Sequence, residues 1–291
     1  MKETLPTPGT AFGVRLRHAM DFHGPLCVGL DPHRALVESW GLEYSLTGVE
    51  RFAMTCVEAF AGQVATVKPQ SAFFEVFGSA GVRVLERVLA DLREAGTLSV
   101  LDVKRGDIGS TMQAYADAYL GEDGALRADA ITVSPFLGYG SLRPALDLAE
   151  RTGRGVFVLA LTSNPEGEQV QHAARAGRTV AASVVDGARA DNAAARERGQ
   201  LGSVGLVVGA TVGDAVERLG LDLAAANAPI LAPGLGAQGG TPESLRQVFG
   251  AARPNVLASS SRDVLSAGPQ ASALRAKASE TAYLLRRLLA P

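Results

Sequence analysis

Cysteine is scarce in this chain: Cys27 and Cys56 are the only two in 291 residues, each within an apolar segment and neither at metal-ligand spacing. A disulfide-stapled scaffold is not expected, and both thiols read as reduced packing residues. Histidine is equally thin. His18, His23, His33 and His172 are scattered, with no pair at ligand spacing on a clear helix or strand, so no metal site is expected from them. Neither sign of charge dominates. The net charge is -2 and the isoelectric point about 6.1, which leaves no basic surface to recommend nucleic acid as a partner. No apolar run is long enough to span a bilayer, so no membrane partner is expected. The start, Met1 to Pro6, lacks the apolar core of a secretory signal, and the cytosol is the expected compartment.

What is present suits an enzyme acting on a small molecule. Hydrophobic residues make up 47% and charged residues 20%, enough to bury a large core while keeping the surface soluble. After a Pro-containing tail over residues 1–10, expected to be flexible, strand and helix patterns alternate to the end. Strands are predicted at 25–30, 64–68, 98–101, 130–133, 156–161, 204–208, 230–232 and 255–258. Helices are predicted at 12–22, 49–60, 82–95, 112–120, 142–151, 214–219, 242–249 and 271–289. On the second of these helices Val49, Phe52, Ala53, Cys56 and Phe60 share one face. The Ala-rich stretch 169–198 reads as one long helix with a break at Gly177 or Gly187. About eight strand-then-helix units is the number that closes a parallel (β/α)8, or TIM, barrel, and no composition shift marks a linker, so one α/β domain over 1–291 is expected. An open doubly wound sheet is the alternative, but no strand is followed by Gly-X-Gly-X-X-Gly with an acidic partner downstream.

Three of the strands end in charge. The segment Leu101 to Thr111 reads Leu-Asp-Val-Lys-Arg-Gly-Asp-Ile-Gly-Ser-Thr, and strand alternation puts Asp102 and Lys104 on one face with Leu101 and Val103 on the other. Asp107 follows Gly106, where strand geometry no longer fixes its direction; it could turn back or reach another subunit. Lys68 ends the second strand and Asp31 the first, each followed by proline. One Asp-X-Lys pair is an ordinary solvated ion pair. Charges at three strand C-termini fall instead where barrels carry their chemistry.

The loops after the seventh and eighth strands of such barrels commonly hold a phosphate. Gly234 to Thr241, with Gln238, Gly239 and Gly240, follows the seventh strand and offers exposed main chain. Ser259-Ser260-Ser261-Arg262 follows the eighth and offers hydroxyls and a planar cation.

Together, Asp-X-Lys-X-X-Asp-Ile-Gly-Ser-Thr, Leu-Asp-Pro, Val-Lys-Pro and Pro-Gly-X-Gly-Ala-Gln-Gly-Gly resemble the orotidine 5'-phosphate decarboxylase family. The Lys-Pro-Gln-Ser-Ala-Phe-Phe-Glu run at Lys68 to Glu75 is similar to its longer bacterial branch. The resemblance runs from Asp31 to Arg262. It implies a barrel homodimer with a shared site that converts orotidine 5'-monophosphate to uridine 5'-monophosphate and CO2, the last step of pyrimidine nucleotide synthesis, with neither metal nor organic cofactor. By resemblance, Lys104 delivers the proton to C6, Asp102 lies beside the departing CO2, and Asp107 comes from the partner subunit with Ile108 and Thr111. Lys68 and Asp31 are similar to residues that bind the ribose hydroxyls, with Lys68 also in the charge array. Ser163 matches the pyrimidine contact, and Asn164 could share its role, since Thr162 to Gly167 departs from the Met-Ser-His-Pro-Gly of compact members. Gln238 is similar to the residue bridging base and phosphate, and Arg262 to the phosphate-binding arginine. Two rival readings remain. One is a magnesium-dependent sugar-phosphate enzyme of the same superfamily, such as 3-keto-gulonate 6-phosphate decarboxylase or hexulose 6-phosphate synthase, for which Glu75 is the nearest extra ligand. The other is a non-catalytic nucleotide-phosphate sensor.

Overall fold

Short runs rich in Val, Leu, Ile and Ala form the strands, and in a barrel each run has both faces covered. The structure, a computed structural model, describes residues 9–234 and 242–290. Eight strands pair in parallel: β1 (Leu26–Leu30), β2 (Thr66–Pro69), β3 (Leu98–Arg105), β4 (Ala130–Val133), β5 (Gly155–Leu161), β6 (Val204–Val208), β7 (Ile230–Ala232) and β8 (Val256–Ser260). Each bonds to the next and β8 returns to β1, closing a (β/α)8 barrel. Helices between the strands cover its outside.

Alternation along the strands creates two apolar layers. Val28, Leu30, Val67, Leu101, Val103, Ile131 and Val133 face outward into the layer under the helices. Cys27, Leu98, Val100, Phe157, Leu231 and Leu257 face inward. The helix Phe12–His23 closes the N-terminal end of the barrel with Phe12, Leu16, Ala19 and Met20. Phe12 meets Phe157 edge-on, with ring centroids 6.0 Å apart. That approach requires glycine at 155, where a Cβ would stand 2.3 Å from the Phe12 ring. Burying a Phe side chain contributes roughly 1.5–3 kcal/mol. The bottom of the barrel is thus sealed with hydrocarbon, and polar side chains inside it can open only at the C-terminal mouth.

The predicted strands and the main helices fall where expected within a few residues, and the connections differ. Short helices occupy Arg34–Ser39, Ala72–Glu75 and Arg262–Leu265, where the sequence patterns predict no helix. The long stretch after β5 is not one helix. It runs as Glu168–Gln171, a small antiparallel hairpin pairing Ala174–Arg175 with Arg178–Thr179, then Val180–Asp191 and Ala193–Glu197. The break falls at Gly177, where Ala176 and Gly177 adopt φ of 51° and 77° to turn the hairpin. Gly187 lies within the helix Val180–Asp191, where the absence of a side chain makes room for the Tyr139 ring: a Cβ there would lie 2.6 Å from the ring.

Candidate active site

On β3 the inward file Leu98, Val100, Asp102, Lys104 passes from hydrocarbon to charge as it reaches the mouth. Lys68 on β2 pairs in register with Gly29 of β1, so no neighbouring side chain fills the interior beside it. Gly29 also makes room for Ser261, the residue that follows β8, since a Cβ at 29 would stand 1.8 Å from Ser261 Oγ. These choices of residue bring four charges together. Lys68 Nζ lies 3.1 Å from Asp102 Oδ2 and 3.9 Å from Asp31 Oδ1, and Lys104 Nζ lies 2.6 Å from Asp102 Oδ1. Thr132, on β4, donates its hydroxyl to Asp102 Oδ1 at 2.7 Å. Depth is graded: the side chains of Lys68 and Asp102 are 8% and 9% exposed, and that of Lys104 is 47%.

Burial alone would disfavour the charged forms of Lys68 and Asp102. It is outweighed. Burial opposes the Lys68 ammonium, yet the carboxylates of Asp31 and Asp102 raise its pKa above the ordinary lysine value. Burial likewise opposes the Asp102 carboxylate, but Lys68, Lys104 and the hydrogen bonds from Lys104 and Thr132 hold its pKa down at about 2. The pair is therefore ionised across the neutral range. Beneath it, burial pushes the Cys27 thiol up to about 11, which keeps it a neutral packing group.

Lys104 itself has φ of 44°, a left-handed backbone that costs a non-glycine residue roughly 1–2 kcal/mol. It lies where the β3–β4 ladder slips: Leu101 pairs with Ile131, but Arg105 pairs with Val133.

The cavity above the array measures about 290 Å³. Of the residues singled out in the sequence, Asp31, Lys68, Asp102, Lys104, Ser261 and Arg262 line it, with Ser259 at the end of β8. Asp31 Oδ1 is buried and has no hydrogen-bond partner among the described residues. Sequence reasoning missed Thr132 and Thr162, and an apolar wall of Leu159, Val207 and Leu231. Thr132 was detectable, being the inward polar residue of the predicted strand 130–133. Other predicted residues do not line this cavity. Ser163 and Asn164 are exposed on the loop after β5, where Asn164 Oδ1 accepts from Thr162 Oγ1 at 2.7 Å and its Nδ2 donates to Glu166. Asp107 accepts from its neighbour Ile108 N at 2.8 Å, while Ile108 is 62% exposed and Thr111 is exposed on the next helix. Gln238, Gly239 and Gly240 lie outside the described residues. Among the described residues no group of three or more His, Cys, Asp or Glu side chains is placed to hold a metal ion, and no helix is long and apolar enough to cross a membrane.

The sequence model of the orotidine 5'-phosphate decarboxylase / HUMPS family matches residues 24–276. The chain belongs to this family. Among members of the orotidine 5'-phosphate decarboxylase family, one from Streptomyces coelicolor is 56% identical over 277 residues, covering 94% of this chain and 97% of the relative. Another from Salinispora arenicola is 59% identical over 269 residues, covering 92% and 94%. The fold is shared with a Streptomyces avermitilis protein of known crystal structure, with TM-score 0.92 and 54% identity over 99% of this chain and 100% of that one. An orotidine 5'-monophosphate decarboxylase from Leishmania donovani superposes with TM-score 0.71 at 30% identity, covering 96% of this chain and 99% of its own.

Proposed function

We propose that this enzyme decarboxylates orotidine 5'-monophosphate to uridine 5'-monophosphate and CO2, closing de novo pyrimidine nucleotide synthesis in the cytoplasm, with no metal or organic cofactor. The observation that carries the reading is the alternation of charge across the barrel mouth, Lys68, Asp102, Lys104, with Lys104 outermost. Breaking the C6–carboxylate bond leaves an electron pair in the plane of the pyrimidine ring, where the π system does not delocalise it. A fixed cation meets that need. The Lys104 ammonium stabilises the developing pair and then gives up one N–H proton to C6; the resulting amine regains a proton from solvent. Asp102 holds the ammonium in place and faces the leaving carboxylate.

The remaining assignments follow the cavity. Asp31, whose Oδ1 accepts no hydrogen bond among the described residues, and Lys68 take the ribose hydroxyls. Ser261 and Arg262 take the phosphate together with the main chain of Gly239 and Gly240, and Gln238 spans phosphate and base. Ser163, with Asn164, meets the pyrimidine edge when the loop after β5 packs over the ring. Asp107, Ile108 and Thr111 complete the site of a second copy in a homodimer, which accords with their lying outside the cavity of their own chain. Neither nucleic acid nor membrane enters this reading.

The magnesium-dependent alternative needs another acidic ligand at the mouth. Glu75, its candidate, is committed elsewhere, with Oε1 2.8 Å from Arg105 Nη2 and accepting from Ser71 Oγ at 2.6 Å. The test is an ultraviolet assay of orotidine 5'-monophosphate consumption with and without chelator. Equal turnover in both is expected; loss with chelator would favour the magnesium enzyme, and no turnover in either would defeat the decarboxylase reading.

A further inference from the structure

Thr132 stands at a single point that two separate features of β3 require. Between the pairs Leu101–Ile131 and Arg105–Val133, three residues of β3, Asp102, Val103 and Lys104, face one residue of β4, Thr132. Such a bulge leaves a backbone N–H without a ladder partner, and a buried orphan donor is costly. Thr132 supplies the partner: its Oγ1 accepts from Lys104 N at 3.0 Å. The same oxygen donates its proton to Asp102 Oδ1 at 2.7 Å. Both bonds are compatible because a hydroxyl accepts through lone pairs while giving its one proton elsewhere. Thr132 is itself fully buried, 1% exposed, and β-branching restricts its side-chain rotation. The hydroxyl therefore connects the left-handed Lys104 backbone to the carboxylate that receives the Lys104 ammonium at 2.6 Å.

We infer that Thr132 is a positioning residue that sets the aim of Lys104: its hydroxyl pins the β3 bulge so that backbone torsion and carboxylate together direct the ammonium into the cavity. The inference rests on the proposed decarboxylase reading for its kinetic consequence, but its structural consequence is independent of it.

Two measurements on one pair of variants decide it. Thr132→Val keeps shape and branching and removes only the hydroxyl; Thr132→Ser keeps the hydroxyl. In a crystal structure of Thr132→Val, Lys104 is expected to leave positive φ and its Nζ to lose hydrogen-bond contact with Asp102. A Lys104 still at positive φ and still bonded to Asp102 would overturn the inference whatever the enzyme's substrate. With orotidine 5'-monophosphate, kcat of Thr132→Val is expected to fall about 10- to 100-fold, the effect of losing a bond to a charged group, with KM nearly unchanged, while Thr132→Ser recovers most of it. An unchanged kcat, a rise in KM matching the fall in kcat, or a serine variant as poor as the valine one would each refute the positioning role. If Thr132→Val does not fold, Thr132→Ala takes its place in both measurements with the same expectations. A wild-type protein inert towards orotidine 5'-monophosphate would sink the functional reading, and the crystallographic result would still decide this one.

Discussion

Lys68 Nζ lies 3.1 Å from Asp102 Oδ2, deep inside the barrel and ionised on both sides. Two buried opposite charges are held in place mainly by each other, so removing one leaves the other stranded. Asp102→Asn takes the nearer carboxylate from the buried Lys68 ammonium, while the half-exposed Lys104 ammonium keeps its access to water. Because Asp31 still faces Lys68 at 3.9 Å, we expect a loss near the lower end of the usual range for breaking a buried pair, about 3 kcal/mol. Urea denaturation at neutral pH measures it. An Asp102→Asn protein as stable as wild type would mean that the array is not desolvated as described.

The same pair fixes how stability varies with pH. The Asp102 carboxyl titrates at about 2 in the folded chain against an ordinary 3.8. Its contribution is therefore complete above pH 3.8 and is lost as pH falls towards 2; it amounts to about 2 kcal/mol. Lys68 is shifted the opposite way, above 10.5, so its contribution is complete below that pH and is lost only in stronger alkali. Between roughly pH 4 and pH 10 neither group should tilt the stability curve. Thermal denaturation of wild type and Asp102→Asn checks this: the difference between the two proteins should shrink below pH 4 and stay level through neutrality.

The strands and the charged strand ends were legible because alternation is a strong rule. Lys68, Asp102 and Lys104 fall on the inward file once β2 and β3 are placed, and their shared cavity follows from barrel closure. Thr132 went unnoticed because threonine is a common strand residue, and its role exists only in relation to a slip in a neighbouring strand that no local pattern signals. The stretch after β5 misled for another reason. Its alanines favour helix, but the tight turn at Ala176 and Gly177 is set by pairing between Ala174–Arg175 and Arg178–Thr179, which composition does not reveal.

That stretch carries a contact with a functional consequence. Gln171 closes a reciprocal pair with Thr162, its Oε1 accepting from Thr162 N at 2.8 Å and its Nε2 donating to Thr162 Oγ1 at 2.7 Å. Thr162 lines the cavity and immediately precedes Ser163. Gln171→Ala should release the loop after β5 and raise KM for orotidine 5'-monophosphate about 30-fold, the equivalent of two hydrogen bonds worth about 1 kcal/mol each, with kcat changed much less. Steady-state kinetics separates the two parameters; a drop confined to kcat would place Gln171 in the chemistry instead of in loop order.

The location of Asp107 leads to the sharpest test of assembly. Its side chain does not line the cavity that holds Lys104, although only two residues separate them in sequence. If each site takes Lys104 from one subunit and Asp107 from the other, Lys104→Ala and Asp107→Ala homodimers are each deficient at both sites. Lys104→Ala should lose about 10³-fold or more in turnover, since it removes both the cation and the acid. A mixed dimer, however, gathers both lesions into one site and leaves the other with an intact Lys104 and an intact Asp107. Random subunit exchange of equal amounts makes about half the dimers mixed, each with one wild-type site, so about a quarter of wild-type activity should return. Activity that stays at the level of the separate variants after exchange, with subunit mixing verified by mass spectrometry, would show that Asp107 serves its own chain or none.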